Sequence, residues 1–351
     1  MANATFRGAG FAIAMAIGAP GPVQAAGENA VFGPWEKGHA SRARLLVLPK
    51  AKVPVVEHAK RVIGRSVGPT GGVVQRFGQA VAVGGIQIEM TDGYKTYWRH
   101  PGTAGGVPPE MDWSRSTNVR SVNVGFPAPR RYRGDEGYSI GYVDAVILPL
   151  VAEPIDPSSP MELRLGFFYG VCKEICIPAE GRLSVNVPAL RAGSVLSFGL
   201  PKATPRGSAS SGPNAIAAAR LVEAVYEVPA GVEPSAGQTG PGSVASGGAD
   251  KTAATVPHVV SSRVETKAGA ATLLVEVDFG ADAVDGDVFA EAVPGVFVGS
   301  VSQVSKQDDR RGLFAIALPD GLPASETGVT HLDVTVVASN GSSVQSVPLR
   351  D

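Results

Sequence analysis

Short runs of alternating apolar and polar residues dominate the chain from about residue 41 to residue 187. Residues 86–90, Ile-Gln-Ile-Glu-Met, have the period of two that is typical of a half-buried strand. A longer apolar run covers residues 143–150, and turn residues such as those at 154–157 separate the segments. Strands at this spacing predict an all-β architecture, an antiparallel β sandwich.

The pattern changes between about residues 191 and 256. Residues 201–213 and 234–250 are rich in Gly, Ser and Pro, which is typical of linkers. One helix is predicted between them, at about residues 213–226, with Pro213 in its first turn and Pro229 beyond its end. Alternation then returns and predicts a second, smaller β domain at residues 257–351.

The first 26 residues have the layout of a secretory signal peptide. Arg7 is their only charge, an apolar run covers residues 8–17, and small residues at Ala25 and Ala26 offer a cleavage site. An N-terminal membrane anchor is the alternative, but the run is too short for a bilayer core of about 30 Å. We therefore expect export to the periplasm, no membrane span in the mature chain, and a first domain at residues 27–190.

Composition supports strands and excludes one class of partner. The 351 residues include 44 Gly and 28 Pro, which favours strands and turns over long helices. There are 31 basic and 32 acidic residues, for a net charge of −1, and no basic stripe. We therefore expect no nucleic-acid partner.

Cys172 and Cys176 are the only cysteines. A strand-like run enters the first, and an extended run leaves the second. If residues 173–175 turn the chain as a hairpin, the cysteines are an opposed pair with Cα atoms about 4.5–5.5 Å apart, within the range of about 4.4–6.8 Å that a disulfide needs. Because a crosslink stabilises less when it encloses few residues, redox function is favoured over a structural staple.

The neighbouring residues bear on the reactivity of this pair. Lys173 favours a thiolate at Cys172, whereas Glu174 opposes it. Strand parity places Cys172 on the face opposite Leu163, Phe167 and Tyr169. If that apolar face lines the core, Cys172 is predicted to be accessible to a partner, and a bulge would reverse this prediction.

Two other readings of the pair stay open at this point. Two thiolates in a C-x-x-x-C spacing can hold Cu(I) or half of a zinc site, for which His100 is the nearest additional ligand in sequence. Alternatively, the protein is a non-catalytic β-rich adaptor whose disulfide is local reinforcement.

Several motifs in this region resemble a known family, the N-terminal periplasmic domain of the thiol:disulfide interchange protein DsbD. The resemblance covers roughly residues 35–187 and is carried by five segments: Asp92 to Arg99, Gly102 to Trp113, Phe126 to Pro129, Tyr138 to Tyr142, and Val171 to Pro178.

This resemblance implies an immunoglobulin-like sandwich with a reversible disulfide, formed here by Cys172 and Cys176. The domain would take electrons from a thioredoxin-like domain and pass them to periplasmic partners such as disulfide isomerases or cytochrome c maturation proteins, without a cofactor or metal. Asp135, Glu136 and Tyr138 fall in the region of the family's cap loop, which shields the active site. Tyr94 and Tyr97 fall where family aromatics neighbour the cysteines, although core packing is an equal alternative for both.

The sequence departs from the family pattern in two respects. It shows no membrane electron-transfer domain and no thioredoxin-like domain with C-x-x-C, so we expect a separate membrane protein to supply electrons. The cysteine spacing is also shorter than in the best-known members. Thioredoxin-like periplasmic proteins are the other expected partners.

Overall fold

A computed structural model describes residues 30–63, 65–66, 73–74, 80–190, 212–231, 256–267, 269–281, 283, 285–292, 298–306, 308, 310–318 and 329–349. The predicted signal peptide at residues 1–26 lies outside these residues, as does most of the predicted linker, at 191–211 and 232–255. Among the described residues, neither helix has the length and apolar character needed to cross a bilayer.

The elements up to residue 187 are mostly strands. In chain order they are β1 (Val31–Phe32), β2 (Glu36–Gly38), β3 (Ser41–Leu48), α1 (Val53–Ile63), β4 (Arg65–Ser66), β5 (Val73–Val74), β6 (Ala82–Met90), β7 (Lys95–Gly102), β8 (Glu110–Asp112), β9 (Val119–Val124), β10 (Arg130–Gly134), β11 (Gly137–Val143), β12 (Ala145–Pro154), β13 (Met161–Cys172) and β14 (Cys176–Val187).

The remaining described elements comprise one helix and eight strands. They are α2 (Pro213–Glu227), β15 (Ala230–Gly231), β16 (His258–Lys267), β17 (Ala270–Asp278), β18 (Gly286–Glu291), β19 (Val301–Lys306), β20 (Arg311–Ala317), β21 (His331–Ala338) and β22 (Gly341–Pro348).

Two six-stranded sheets form an immunoglobulin-like β sandwich, as predicted. One has the order β1-β3-β6-β12-β9 with β2 paired to β3, and the other has the order β10-β11-β7-β13-β14 with β8 paired to β13. The core between them is apolar and contains Leu45, Ile86, Trp98, Leu163 and Phe167. The face of β13 that the alternation assigned to the interior therefore does line the core.

The strand pattern predicted for residues 41–187 is interrupted by a helix. α1 buries Val55, Ala59, Val62 and Ile63, which share one face at helical spacing. It packs with α2 on the outer side of the first sheet, against a second apolar layer on β3, β6 and β12. Those strands are covered on both faces, which explains their continuous apolar runs.

The predicted β-rich region near the C-terminus is also present. Its two four-stranded sheets have the orders β15-β22-β21-β18 and β16-β17-β20-β19. They enclose their own apolar core, which includes Leu273, Val288, Ile316 and Val334. Phe289, however, packs into the core of the first sandwich, so the two β regions share a contact.

Candidate functional site

The β13–β14 hairpin brings the two cysteines together. The strands pair without interruption from Met161↔Val187 to Cys172↔Cys176, and residues 173–175 form the bend. The two Cα atoms are 4.1 Å apart and the sulfurs are bonded to each other. Register alone therefore places the pair at the turn end of the hairpin, directly beside the bend. The Cα separation is slightly shorter than the range of about 4.5–5.5 Å expected for an opposed pair.

The two cysteines differ sharply in exposure. Cys172 is only 1% exposed, whereas Cys176 is exposed at the start of β14. The prediction that Cys172 is accessible is therefore wrong, although its strand parity was read correctly. The outer face of the hairpin is covered at this point, so an incoming group meets Cys176 first.

Tyr97 is the side chain that crosses the outer face beside the disulfide. It lies on β7, two residues from Lys95, which pairs with Cys172. Its ring passes over Gly170, where an added Cβ would lie 3.2 Å from Tyr97 Cδ2. Its hydroxyl oxygen lies 2.9 Å from Cys176 Sγ, and because a disulfide sulfur carries no hydrogen, the hydroxyl is the donor.

Residues 103–107 are here named the cover segment. Its Gly106 lies against Tyr97, which is 3% exposed. Gly106 has a φ of +148° and lies directly on the ring, where a Cβ would come within 2.4 Å of Tyr97 Cε1 and Cζ. Val107 accepts a hydrogen bond from the Gly170 N–H at 3.0 Å. Glycines at 106 and 170 thus permit the close stacking of cover segment, tyrosine and hairpin.

The acidity of Tyr97 follows from this position. Burial raises the pKa of its phenol above the ordinary value of 10.0. The hydroxyl therefore stays protonated at neutral pH, and it can donate a hydrogen bond to Cys176 Sγ whether that sulfur is in the disulfide or is a thiolate.

Tyr94 and Lys173 lie together at the hairpin tip. Lys173 Nζ is 5.7 Å from the centroid of the Tyr94 ring, a cation–π distance. Tyr94 is half-buried and packs against the sandwich core. Lys173 and Glu174 are exposed, so their predicted influence on the cysteines is an electrostatic one at the protein surface.

Asp135 and Glu136 form the exposed turn between β10 and β11. Tyr138, just after the turn, points to the second β region, since its hydroxyl accepts a hydrogen bond from the Val301 N–H at 3.2 Å. The contact on Tyr97 comes instead from the cover segment, which lies within the Gly102 to Trp113 segment of the family resemblance but was not predicted to shield the site. Glycines at 102, 105 and 106 between two strands were the signal for a tight loop there.

The described residues contain no group of three or more His, Cys, Asp or Glu side chains arranged to hold a metal ion. His100, considered above as a third ligand, accepts a hydrogen bond from the Gly102 N–H through Nδ1 at 3.3 Å. Burial lowers the pKa of His100 below its usual 6.5, with Glu291 acting in the opposite direction.

Residues 74–188 match the family model described as thiol:disulfide interchange protein DsbD, N-terminal. The resemblance to DsbD is confirmed. The matched range includes both cysteines, Tyr97 and the cover segment. The match makes this part of the chain similar to the N-terminal domain of that protein.

The fold is also similar to a solved structure, the N-terminal periplasmic domain of ScsB from Proteus mirabilis. The two share 15% sequence identity with a TM-score of 0.53, over 92% of this chain and 99% of the other. This likeness concerns the fold alone, and it extends over both β regions. No curated protein matches the chain at a significant level.

Proposed function

We propose that the protein is a periplasmic thiol–disulfide exchange protein that relays electrons through Cys172 and Cys176. A membrane or thioredoxin-like reductant would supply the electrons, and periplasmic thioredoxin-like partners would receive them. The observation that carries the proposal is the asymmetry of the disulfide. Cys176 is exposed and its sulfur accepts a hydrogen bond from the Tyr97 hydroxyl, whereas Cys172 is buried.

The exposure of Cys176 sets the order of events. A thiolate of the reductant attacks Cys176 Sγ, an intermolecular disulfide forms, and the Cys172–Cys176 bond breaks with its electron pair going to Cys172, which takes up a proton. The second cysteine of the reductant then attacks the reductant's other sulfur in the mixed disulfide and releases Cys176 as a thiolate, which takes up the second proton. Two electrons and two protons have moved, so the reductant is a disulfide and this protein is a dithiol.

Delivery to an oxidised partner reverses these steps. Cys176 attacks the partner disulfide, and Cys172 resolves the mixed disulfide by attacking Cys176. The Tyr97 hydroxyl, 2.9 Å from Cys176 Sγ, stabilises the thiolate that appears there in both directions.

A purely structural role is weaker on energetic grounds. The bond joins residues four apart in sequence. A ring this small contributes about 2 kcal/mol by the chain-entropy relation, against about 4.7 kcal/mol for a loop of about 100 residues. The hairpin already has an uninterrupted ladder from Met161 to Cys172, so a local crosslink stabilises the fold less than a disulfide between distant strands would.

Single-cysteine variants of the full chain test the proposal. Cys172→Ser leaves the exposed Cys176, and Cys176→Ser leaves the buried Cys172. Each is mixed with a thioredoxin-like domain that carries one active-site cysteine as a nitrothiobenzoate mixed disulfide, and protein–protein disulfides are counted on a non-reducing gel. We expect Cys172→Ser to form them at least about tenfold faster, which equals 1.4 kcal/mol. If neither variant forms them, or both do so at one rate, the proposal is wrong.

A further inference from the structure

The second β region is anchored to the sandwich through β18. Phe289 is 1% exposed, and its ring centroid is 5.8 Å from that of Trp98. Ion pairs flank this apolar contact, Arg99 with Glu291 at 2.5 Å and Arg131 with Asp287 at 2.8 Å. The Arg99–Glu291 pair joins β18 to β7, and the Arg131–Asp287 pair joins β18 to the β10–β11 hairpin.

Arg131 is the more firmly held of the two arginines. Its Nε and Nη2 donate to the two carboxylate oxygens of Asp287 at 2.9 and 2.8 Å. Nη1 donates to the Val301 carbonyl at 2.8 Å, and Nη2 donates to the Val288 carbonyl at 2.9 Å. Its side chain is only 8% exposed, so these contacts fix its guanidinium group against the second β region.

Tyr138 carries this contact towards the disulfide. The Arg131 guanidinium lies 4.2 Å from its ring centroid, and its hydroxyl accepts from the Val301 N–H. Its backbone holds the cover segment, because its carbonyl accepts from the Ala104 N–H at 3.0 Å and its own N–H donates to Thr103 Oγ1 at 3.1 Å.

We infer that Arg131 and Tyr138 are positioning residues through which the second β region holds the cover segment on Tyr97 and so limits access to the disulfide. The contacts run without a gap from Asp287 and Val301 to Arg131 and Tyr138, and from there through the cover segment to Tyr97 and the Cys176 sulfur. The inference rests on the proposed function for its biological meaning. It gives the second β region a role in the exchange reaction, which would otherwise involve the sandwich alone.

Reduction of the disulfide by dithiothreitol tests the inference, since a small thiol needs no protein partner. Arg131→Gln removes the charge and the bidentate pairing, and Tyr138→Phe removes only the hydroxyl. Glu291→Gln is the matched control. It weakens the ion pair with Arg99 at the same interface, and that arginine is not the one that packs on Tyr138. We expect the second-order rate to rise about tenfold for Arg131→Gln and about threefold for Tyr138→Phe, and to stay within about twofold of the original for Glu291→Gln.

Two further readouts separate positioning from a general loss of stability. Hydrogen exchange at the amides of residues 104–107 should accelerate in Arg131→Gln and Tyr138→Phe but not in Glu291→Gln. In the double variant, the rate should be no higher than for Arg131→Gln alone, because both changes act on one path.

Equal rates for all three single variants, whether raised or unchanged, would overturn the inference. If Arg131→Gln does not fold, Tyr138→Phe against Glu291→Gln decides the question. Failure of the proposed function would appear separately, as absence of a mixed disulfide with the thioredoxin-like domain, while the dithiothreitol rates would still report on positioning.

Discussion

Gly170 offers a sharp test of the packing around the disulfide. In Gly170→Ala, the new Cβ would lie 2.9 Å from Val107 Cβ, 3.0 Å from the Val107 carbonyl oxygen and 3.2 Å from Tyr97 Cδ2. One of these contacts is with backbone, so the cover segment has to move away from the hairpin. Overpacking of this kind costs about 1–3 kcal/mol.

The same strand supplies the control. Gly166 lies on the same face of β13, but a Cβ there would meet its nearest neighbour, Asp112 Cβ, at an ordinary 3.5 Å. Gly166→Ala should be neutral or should stabilise the strand by up to about 0.5–1 kcal/mol, because alanine has less conformational freedom to lose than glycine.

Denaturant unfolding and the rate of disulfide reduction by dithiothreitol provide the two measurements. Gly170→Ala should lower the unfolding free energy by about 1–3 kcal/mol relative to Gly166→Ala and should speed reduction, because the cover segment no longer lies flat on Tyr97. If the two alanine variants match in both stability and reduction rate, the cover segment does not depend on Gly170 and the description of the site is wrong.

Other predictions concern the hairpin tip, the interface and the helices. Ile175, 76% exposed beside Cys176, should contact a docked partner, so Ile175→Ser should slow mixed-disulfide formation with the thioredoxin-like domain about tenfold while leaving the rate with dithiothreitol unchanged; equal slowing of both would contradict this. Phe289→Ala should cost about 3–5 kcal/mol in denaturant unfolding, and a loss under about 1 kcal/mol would show that this ring does not anchor the second β region. Burial and the nearby Arg61 lower the pKa of His58. Around and below the unfolded-state pKa of about 6.5, the folded state therefore binds fewer protons than the unfolded state. The free energy of unfolding should consequently fall as the pH decreases from about 7.5 to about 5. His58→Gln should flatten that slope in thermal unfolding, and an unchanged slope would exclude His58 as its source.

The hairpin and its disulfide follow from local sequence, whereas the covering of Cys172 does not. The alternation over residues 161–172 assigned the two faces of β13 correctly, and the three-residue bend made the cysteines an opposed pair. Cys172 is nevertheless buried, because Tyr97, which is 79 residues from Cys176 in sequence, crosses the hairpin. Parity identifies a face of a strand but gives no information about what another strand places on it.

Two other features depend on contacts that periodicity does not carry. α1 was missed because its buried positions, including Val55 and Ala59, lie among strands whose apolar runs obscured a short helical pattern. The cover segment has no apolar period at all, since it is held by backbone hydrogen bonds to Tyr138 and Gly170. The family resemblance drew attention to Asp135, Glu136 and Tyr138 as the shield of the site, and their role as a cap remains a prediction.

The reduction potential of the Cys172–Cys176 pair tests the central claim most directly. The full chain is equilibrated with glutathione buffers of graded potential, and the reduced fraction is read by alkylation and mass spectrometry. An exchange protein requires a pair that partners can both reduce and oxidise, and we predict a potential above about −300 mV, in the range of about −270 to −120 mV found for thiol–disulfide oxidoreductases. A value below about −300 mV would mean that the disulfide is a permanent structural bond, which would contradict the proposed function.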